Sequence, residues 1–370
     1  DHRDLHLSLR RQRQMCIRDS IYIQQIKRFI EIYILSMHLP NSTKTQKCYI
    51  DHKFFCKLII YNIKYYYFLK TMSIRLGIAP IAWSNDDMPE LGGKTPLEQC
   101  LKEASMAGFT GIESGGKFPM NSKELIPKLE KENLKLCSGW YGAQLLKRSP
   151  KEEFKLMQKQ LKLFKDCEAP CMVFAEVTDS VQGDPITPLS KRPKLNKDDW
   201  NKFINSINEI SKMMIDENMP LAYHHHMGTI IETEEDTSRL IENTKDTVKL
   251  LVDTGHMLFA QGDSIKLVEN FYERIIHVHC KDIRKDILEK SLRNDATFRQ
   301  AFLDGAFTVP GDGCIDYVPF LNALKKKNYS GWLVVEAEQD PAKANPFEYA
   351  KIGFNYLSKT AKQCGFEIIN

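Results

Sequence analysis

From Ser73 onward, short apolar runs alternate with longer stretches whose apolar residues recur at helical spacing. The apolar runs are IRLGIAPIAW (74–83), GIESG (111–115), LKLCSGWY (134–141), CMVFAEV (171–177), LAYHHH (221–226), VKLLVDTGH (248–256), IIHVHCKD (275–282) and GWLVVEAE (331–338). Each reads as a strand. Between them, TPLEQCLKEASMAG (95–108) predicts a helix with Thr95 as N-cap, Pro96 at its first position and Gly108 closing it. DDWNKFINSINEISKMM (198–214) predicts another. Eight strands, each followed by helix, over roughly 300 residues form the pattern of a (β/α)8 TIM barrel. A doubly wound open sheet is the rival, and it is weakened because no GxGxxG follows the first strand.

Charge changes the picture of the first 71 residues. They carry 13 Lys and Arg against 5 Asp and Glu, a balance of +8, whereas residues 72–370 balance at −4. They contain no Gly and only Pro40, so they lack the turn chemistry of a compact domain. The segment reads as a non-native or disordered extension. It resembles translated non-coding or adapter-derived sequence, as in SLRRQRQMCIRDS at 8–20, ahead of a barrel domain spanning 72–370. Its run from Phe54 to Leu69 is broken by Lys57 and Lys64 and is too short to span a membrane. Seven cysteines follow residue 71, an odd number and widely spaced, which predicts reduced thiols and a cytoplasmic protein.

The polar residues that carry chemistry cluster at the carboxyl ends of the predicted strands. They are Glu113 on strand 2, Glu176 on strand 4, His224 and His226 on strand 5, Asp253 and His256 on strand 6, His277 and His279 on strand 7, and Glu336 and Glu338 on strand 8. A two-residue spacing turns both members of a pair to one face, and in a barrel these ends converge on one mouth. Singly, each has a plainer account. A strand-end His is commonly a satisfied polar residue, Asp253 has the position of a helix cap, and either Glu has a Lys within reach. Four such features on consecutive strands point instead to a divalent metal held by imidazole and carboxylate.

All of these residues but Glu176, Glu336 and Glu338 lie in segments that resemble the xylose-isomerase-like barrel superfamily, and within it the inosose dehydratases. The segments are GIAPIAWSNDDMPELGG (77–93), GFTGIESGGKFP (108–119), AYHHHMGTIIET (222–233), LLVDTGHMLFAQGD (250–263), IHVHCKDIR (276–284) and FTVPGDGCID (307–316). The resemblance implies metal ligands at His224, Asp253, His279 and Glu336, with His224 standing where the superfamily usually has Glu and His226 as the substitute candidate for that place. It implies Co2+ or Mn2+ as the ion, glutathione as a further cofactor, and dehydration of 2-keto-myo-inositol to a trihydroxycyclohexane-1,2-dione. The reaction needs a base for an α-proton and an acid for the departing hydroxide. His256 and Glu176 are the leading candidates, with Lys281 or His226 assisting charge stabilisation. Trp83, Glu113 and Trp140 are candidates for substrate contact. The expected partner is a small polyol ketone, with a homo-oligomer implied by analogy and neither nucleic acid nor membrane involved. A sugar isomerase or epimerase shares every feature except the fate of the enediolate. An abasic-site endonuclease wants a basic face that a body at −4 does not offer. A non-catalytic sugar-binding barrel does not need so many titratable groups at one mouth.

Overall fold

The computed structural model describes residues 73–86 and 88–369, so the expectations for residues 1–71 lie outside the described residues. Eight parallel strands close on themselves: β1 (Ser73–Ile78), β2 (Gly111–Ser114), β3 (Lys135–Ala143), β4 (Met172–Glu176), β5 (Leu221–His224), β6 (Lys249–Asp253), β7 (Ile275–Cys280) and β10 (Gly331–Val335). Closure is made by β10 lying along β1, with Ile74 opposite Gly331 and Ile78 opposite Val335. Each of the eight predicted runs overlaps one barrel strand, with β1 starting one residue earlier and β3 ending two residues later than predicted, and the doubly wound alternative is excluded by this closure.

Helices wrap the outside: α1 (Leu97–Ala107), α2 (Ser122–Lys131), α3 (Pro150–Asp166), α4 (Lys197–Asp216), α5 (Glu234–Asn243), α6 (Thr254–Phe259), α7 (Ser264–Phe271), α8 (Lys285–Arg293), α9 (Phe298–Leu303), α10 (Tyr317–Lys326) and α11 (Pro346–Gln363). Their starts are set locally. Ser149 and Glu152 form a capping box on α3, Thr233 and Asp236 form one on α5, and Asn196 accepts two backbone N–H groups at the head of α4. The head of α1 differs from expectation: Pro96, not Thr95, is its N-cap and no side chain caps it. Gly108 ends α1 in the left-handed region at φ +111°, and a Cβ there would come within 2.5 Å of the Phe354 ring.

A short antiparallel pair, β8 (Asp282–Ile283) with β9 (Phe307–Thr308), sits beyond β7. Asp282 holds the following loop by accepting from the backbone N–H of Gly311 and Ile315. The pairing with β8 sets Phe307 beside His256, with ring centroids 5.4 Å apart. A last strand, β11 (Glu367–Ile368), pairs with the start of β1 at the opposite end. Among the described residues, no helix is long and apolar enough to cross a membrane.

Candidate metal centre and its cavity

The barrel register delivers the polar strand ends to one point. Asp253 on β6 lies opposite His279 on β7, and His279 lies opposite Val334 on β10. Glu336 follows two residues after Val334, on the same face, and its N–H reaches the Cys280 carbonyl at 3.4 Å. His224 ends β5 opposite Leu251, two residues before Asp253. Such stagger is the shear of a closed barrel.

Four donors result, and all are buried. One ligand atom each from His224, Asp253, His279 and Glu336 lies within 4.8 Å of the other three. Asp253 Oδ2 is 3.5 Å from His224 Nε2 and 3.5 Å from His279 Nδ1, and His279 Nδ1 also meets Glu336 Oε2. Donors bonded to a transition ion at about 2.1 Å stand roughly 3.0–3.4 Å apart when adjacent and about 4.2 Å when opposite. Asp253 Oδ2 is buried with no hydrogen-bond partner, an expensive arrangement unless a cation sits against it. The set therefore fits a divalent ion, and two imidazoles with two carboxylates suit a borderline metal.

Electrostatics agree. Burial opposes charge on both His279 and Glu336. The nearby Glu113 and Glu336 carboxylates nevertheless hold a proton on His279, while His279 and Lys281 hold Glu336 well below the carboxylate range. A proton thus takes the place a cation would take, and ion binding would release it. Burial pushes His224 down to about 4, leaving it neutral and ready to donate its lone pair.

Glu113 supports this set from behind. Its Oε1 accepts from His277 Nε2 at 2.8 Å and from His279 Nε2 at 3.0 Å. Burial would raise this carboxyl, but the two imidazoles hold it at about 2. The carboxylate fixes the ring of His279 so that Nδ1 faces the other donors.

A second group abuts the first. Lys281, wholly buried, donates to Glu338 Oε2 at 2.7 Å and to His256 Nε2 at 2.8 Å. Burial and the neighbouring His226 and Lys281 hold His256 neutral, well below its usual range. Its ring lies 3.9 Å from that of His226, centroid to centroid. His226 donates from Nδ1 to the Met227 carbonyl at 2.8 Å, which leaves the Nε2 lone pair free, 3.7 Å from Glu338 Oε1.

A cavity opens over both groups. Trp140, His224, His226, His279, Glu336, Glu338 and the backing Glu113 line it. Trp140 stands edge-on to His224 and His226 at 5.6 and 5.4 Å, so its ring can cover a bound molecule. The structure thus brings together nine of the eleven residues selected from sequence, with His256 and Lys281 behind the wall.

Two selected residues stand apart. Trp83 is buried in the core, its indole N–H donating to Glu103 Oε2 at 2.6 Å. Glu176 is also buried, and its carboxylate accepts from the backbone N–H of Leu145 at 2.5 Å and Thr178 at 2.8 Å. It ties the loop after β3 to β4 and does not line the cavity. A third difference is of placement: β6 ends at Asp253, so His256 belongs to the first turn of α6. Asp253 causes this, because its Oδ1 accepts from the His256 N–H at 2.8 Å and caps that helix.

Sequence reasoning gave no role to Gln182 and Asp86, which line the same cavity. The buried Oε1 of Gln182 has no partner. Its loop is drawn in because Gly228, at φ +81°, lacks the Cβ that would come within 2.9 Å of Gln182 N. Glu338 did have a signal, its two-residue spacing from Glu336.

Burial raises the Glu176 carboxyl to about 7. Below about pH 4.5 it is protonated whether folded or unfolded. Between about 4.5 and 7 the unfolded chain ionises first, so stability is lost as pH rises, by about 3 kcal/mol in full. Glu176→Gln is expected to flatten this decline. Urea unfolding at pH 5 and 7.5 checks it, and an equal decline in both proteins would clear Glu176 of the effect.

Residues 101–360 match the xylose isomerase-like TIM barrel family. The chain is 44% identical over 297 residues to the rhizopine catabolism protein MocC of Rhizobium meliloti, covering 80% of this chain and 91% of that one. It is 42% identical over 290 residues to an inosose dehydratase of Clostridium tetani, covering 78% and 97%. The crystal structure of the IOLI protein with a binding zinc atom superposes with a TM-score of 0.60 at 15% identity, covering 78% of this chain and 99% of that one.

Proposed function

The chain belongs to the xylose isomerase-like TIM barrel family, among its inosose dehydratases, and from that membership we propose that it removes water from 2-keto-myo-inositol. The product is a trihydroxycyclohexane-1,2-dione. The observation that carries the reading is a free imidazole nitrogen, His226 Nε2, sharing one cavity with His224, His279 and Glu336, three of the four buried donors suited to a divalent ion.

A divalent ion, Co2+ or Mn2+, held by His224, Asp253, His279 and Glu336 would polarise the ketone and stabilise negative charge as it develops. The chain's own groups handle the proton. His226 Nε2 takes the α-proton, with Nδ1–H anchored on the Met227 carbonyl and the Glu338 carboxylate facing the imidazolium that forms. The same Nε2–H then returns that proton to the hydroxyl on the next carbon. One C–H and one C–O bond break, a C=C bond forms, one water leaves, and the enol becomes the second ketone. His256 and Lys281 act from behind. Lys281 holds Glu338 and His256 in place, and His256 packs against the ring of the base. Trp140 shields the ring of the substrate from water, and the unpartnered Gln182 Oε1 accepts from one of its hydroxyls.

The test strips the protein of metal, resupplies Co2+ or Mn2+ with and without glutathione, and follows 2-keto-myo-inositol by ultraviolet absorbance and mass. Metal-dependent loss of one water is expected. Isomerised substrate of unchanged mass would transfer the reading to an epimerase, and no turnover with any ion would overturn it.

A further inference from the structure

We propose that the ammonium of Lys281 fills a second cation position next to the four-donor site, so that the centre accepts one divalent ion and not two. The inference rests on the metal reading above and extends it to the number of ions.

His226, His256 and Glu338 bring one ligand atom each within 4.8 Å of one another, a second buried cluster with the composition of a metal site. Glu338 lies 3.7 Å from His226 Nε2 through Oε1 and 4.0 Å from His256 Nε2 through Oε2. The cluster already holds a cation. Lys281 Nζ sits 2.7 Å from Glu338 Oε2 and 2.8 Å from His256 Nε2. Glu336 has the posture of a bridging carboxylate: Oε2 meets His279 of the four-donor site, while Oε1 is 3.1 Å from Lys281 Nζ. Asp253 Oδ2 completes the surroundings of the ammonium at 3.7 Å. Two-ion sites place their ions about 3.5–4 Å apart with carboxylates between them, and here one of the two positions is taken by nitrogen.

Charge counting supports a single ion. Asp253, Glu336 and Glu338 carry three negative charges among them, which one divalent ion and one ammonium balance. The ammonium is also not free to leave. Thr254 Oγ1 grips the Lys281 backbone, accepting from its N–H at 3.1 Å and lying 2.8 Å from its carbonyl. The stem runs so close to Gly255 that a Cβ there would lie 2.6 Å from Lys281 Cγ. The Phe307 ring, 5.2 Å from Nζ, closes another side.

The experiment loads the metal-free full chain with Mn2+ and counts ions per chain by equilibrium dialysis, with electron paramagnetic resonance to detect exchange between ions. Wild type is expected to bind one ion with an uncoupled spectrum. Lys281→Ala is expected to bind two, coupled, and Lys281→Ala with Glu338→Gln to return to one. Two ions in wild type, or one ion in folded Lys281→Ala, would overturn the inference. Lys281→Met keeps the stem and removes the charge. It is expected to bind its ion about tenfold more tightly, since a repelling cation is gone; unchanged affinity counts against the inference even if Lys281→Ala fails to fold. Wild type that binds no ion would overturn the metal reading itself, whereas one ion in both proteins would leave that reading standing.

Discussion

Asp253→Asn is expected to lose its ion on dialysis and to lower kcat/KM by at least about 10³-fold, the scale of several kcal/mol that a Lewis-acid site contributes. The two oxygens of Asp253 have different tasks. Oδ1 caps α6 by accepting from the His256 N–H at 2.8 Å, and an amide oxygen can still do so. Oδ2 faces His224 Nε2 and His279 Nδ1 at 3.5 Å and is buried without a hydrogen bond. An amide nitrogen in that place turns donors toward the ion position and removes one negative charge of the set. The fold is therefore expected to survive while the site does not. Ion content by mass spectrometry, steady-state rates and a circular dichroism melt separate the two. A folded Asp253→Asn protein that keeps both ion and turnover would take Asp253 out of the ligand set.

That division of labour also explains what the sequence could and could not disclose. The barrel strands were legible because a parallel sheet buried on both faces demands continuous apolar runs, as in Leu250–Val252 and Leu333–Val335. The centre was legible because polar residues interrupt those runs at their carboxyl ends, in pairs that share a face. Past the last ladder bond, however, periodicity no longer says where a side chain turns. Glu176 ends β4 as His224 ends β5, yet its carboxylate is captured by two backbone N–H groups of neighbouring loops. Asp253 looked like either a cap or a ligand, and its two oxygens make the choice unnecessary. Trp83 lay in an apolar run, where an indole is equally suited to core and to substrate, and Glu103 on α1 decided for the core. Gln182 had no signal of its own, only its place in the long connection after the fourth strand. It enters the cavity through a loop whose path depends on Gly228, 46 residues further along the chain.

The neighbouring imidazoles of His226 and His256, their centroids 3.9 Å apart, should respond differently to truncation. His226→Ala is expected to lower kcat by about 10²–10⁴-fold, the usual contribution of a general base, with ion content unchanged because His226 lies outside the four-donor set. His226 reaches the cavity, so small exogenous imidazoles should restore part of the lost rate in a concentration-dependent way. His256 is fully buried behind it, with Nε2 committed to Lys281. Its loss disturbs the packing of the base and the Lys281 network, and added imidazole has no path to the vacated space. His256→Ala should therefore lose activity without rescue. The reverse pattern, rescue of His256→Ala and none of His226→Ala, would make His256 the proton acceptor despite its burial. Equal failure of rescue, with His226→Ala retaining near-normal kcat, would move the base to the Glu338 carboxylate, which shares the cavity wall with His226.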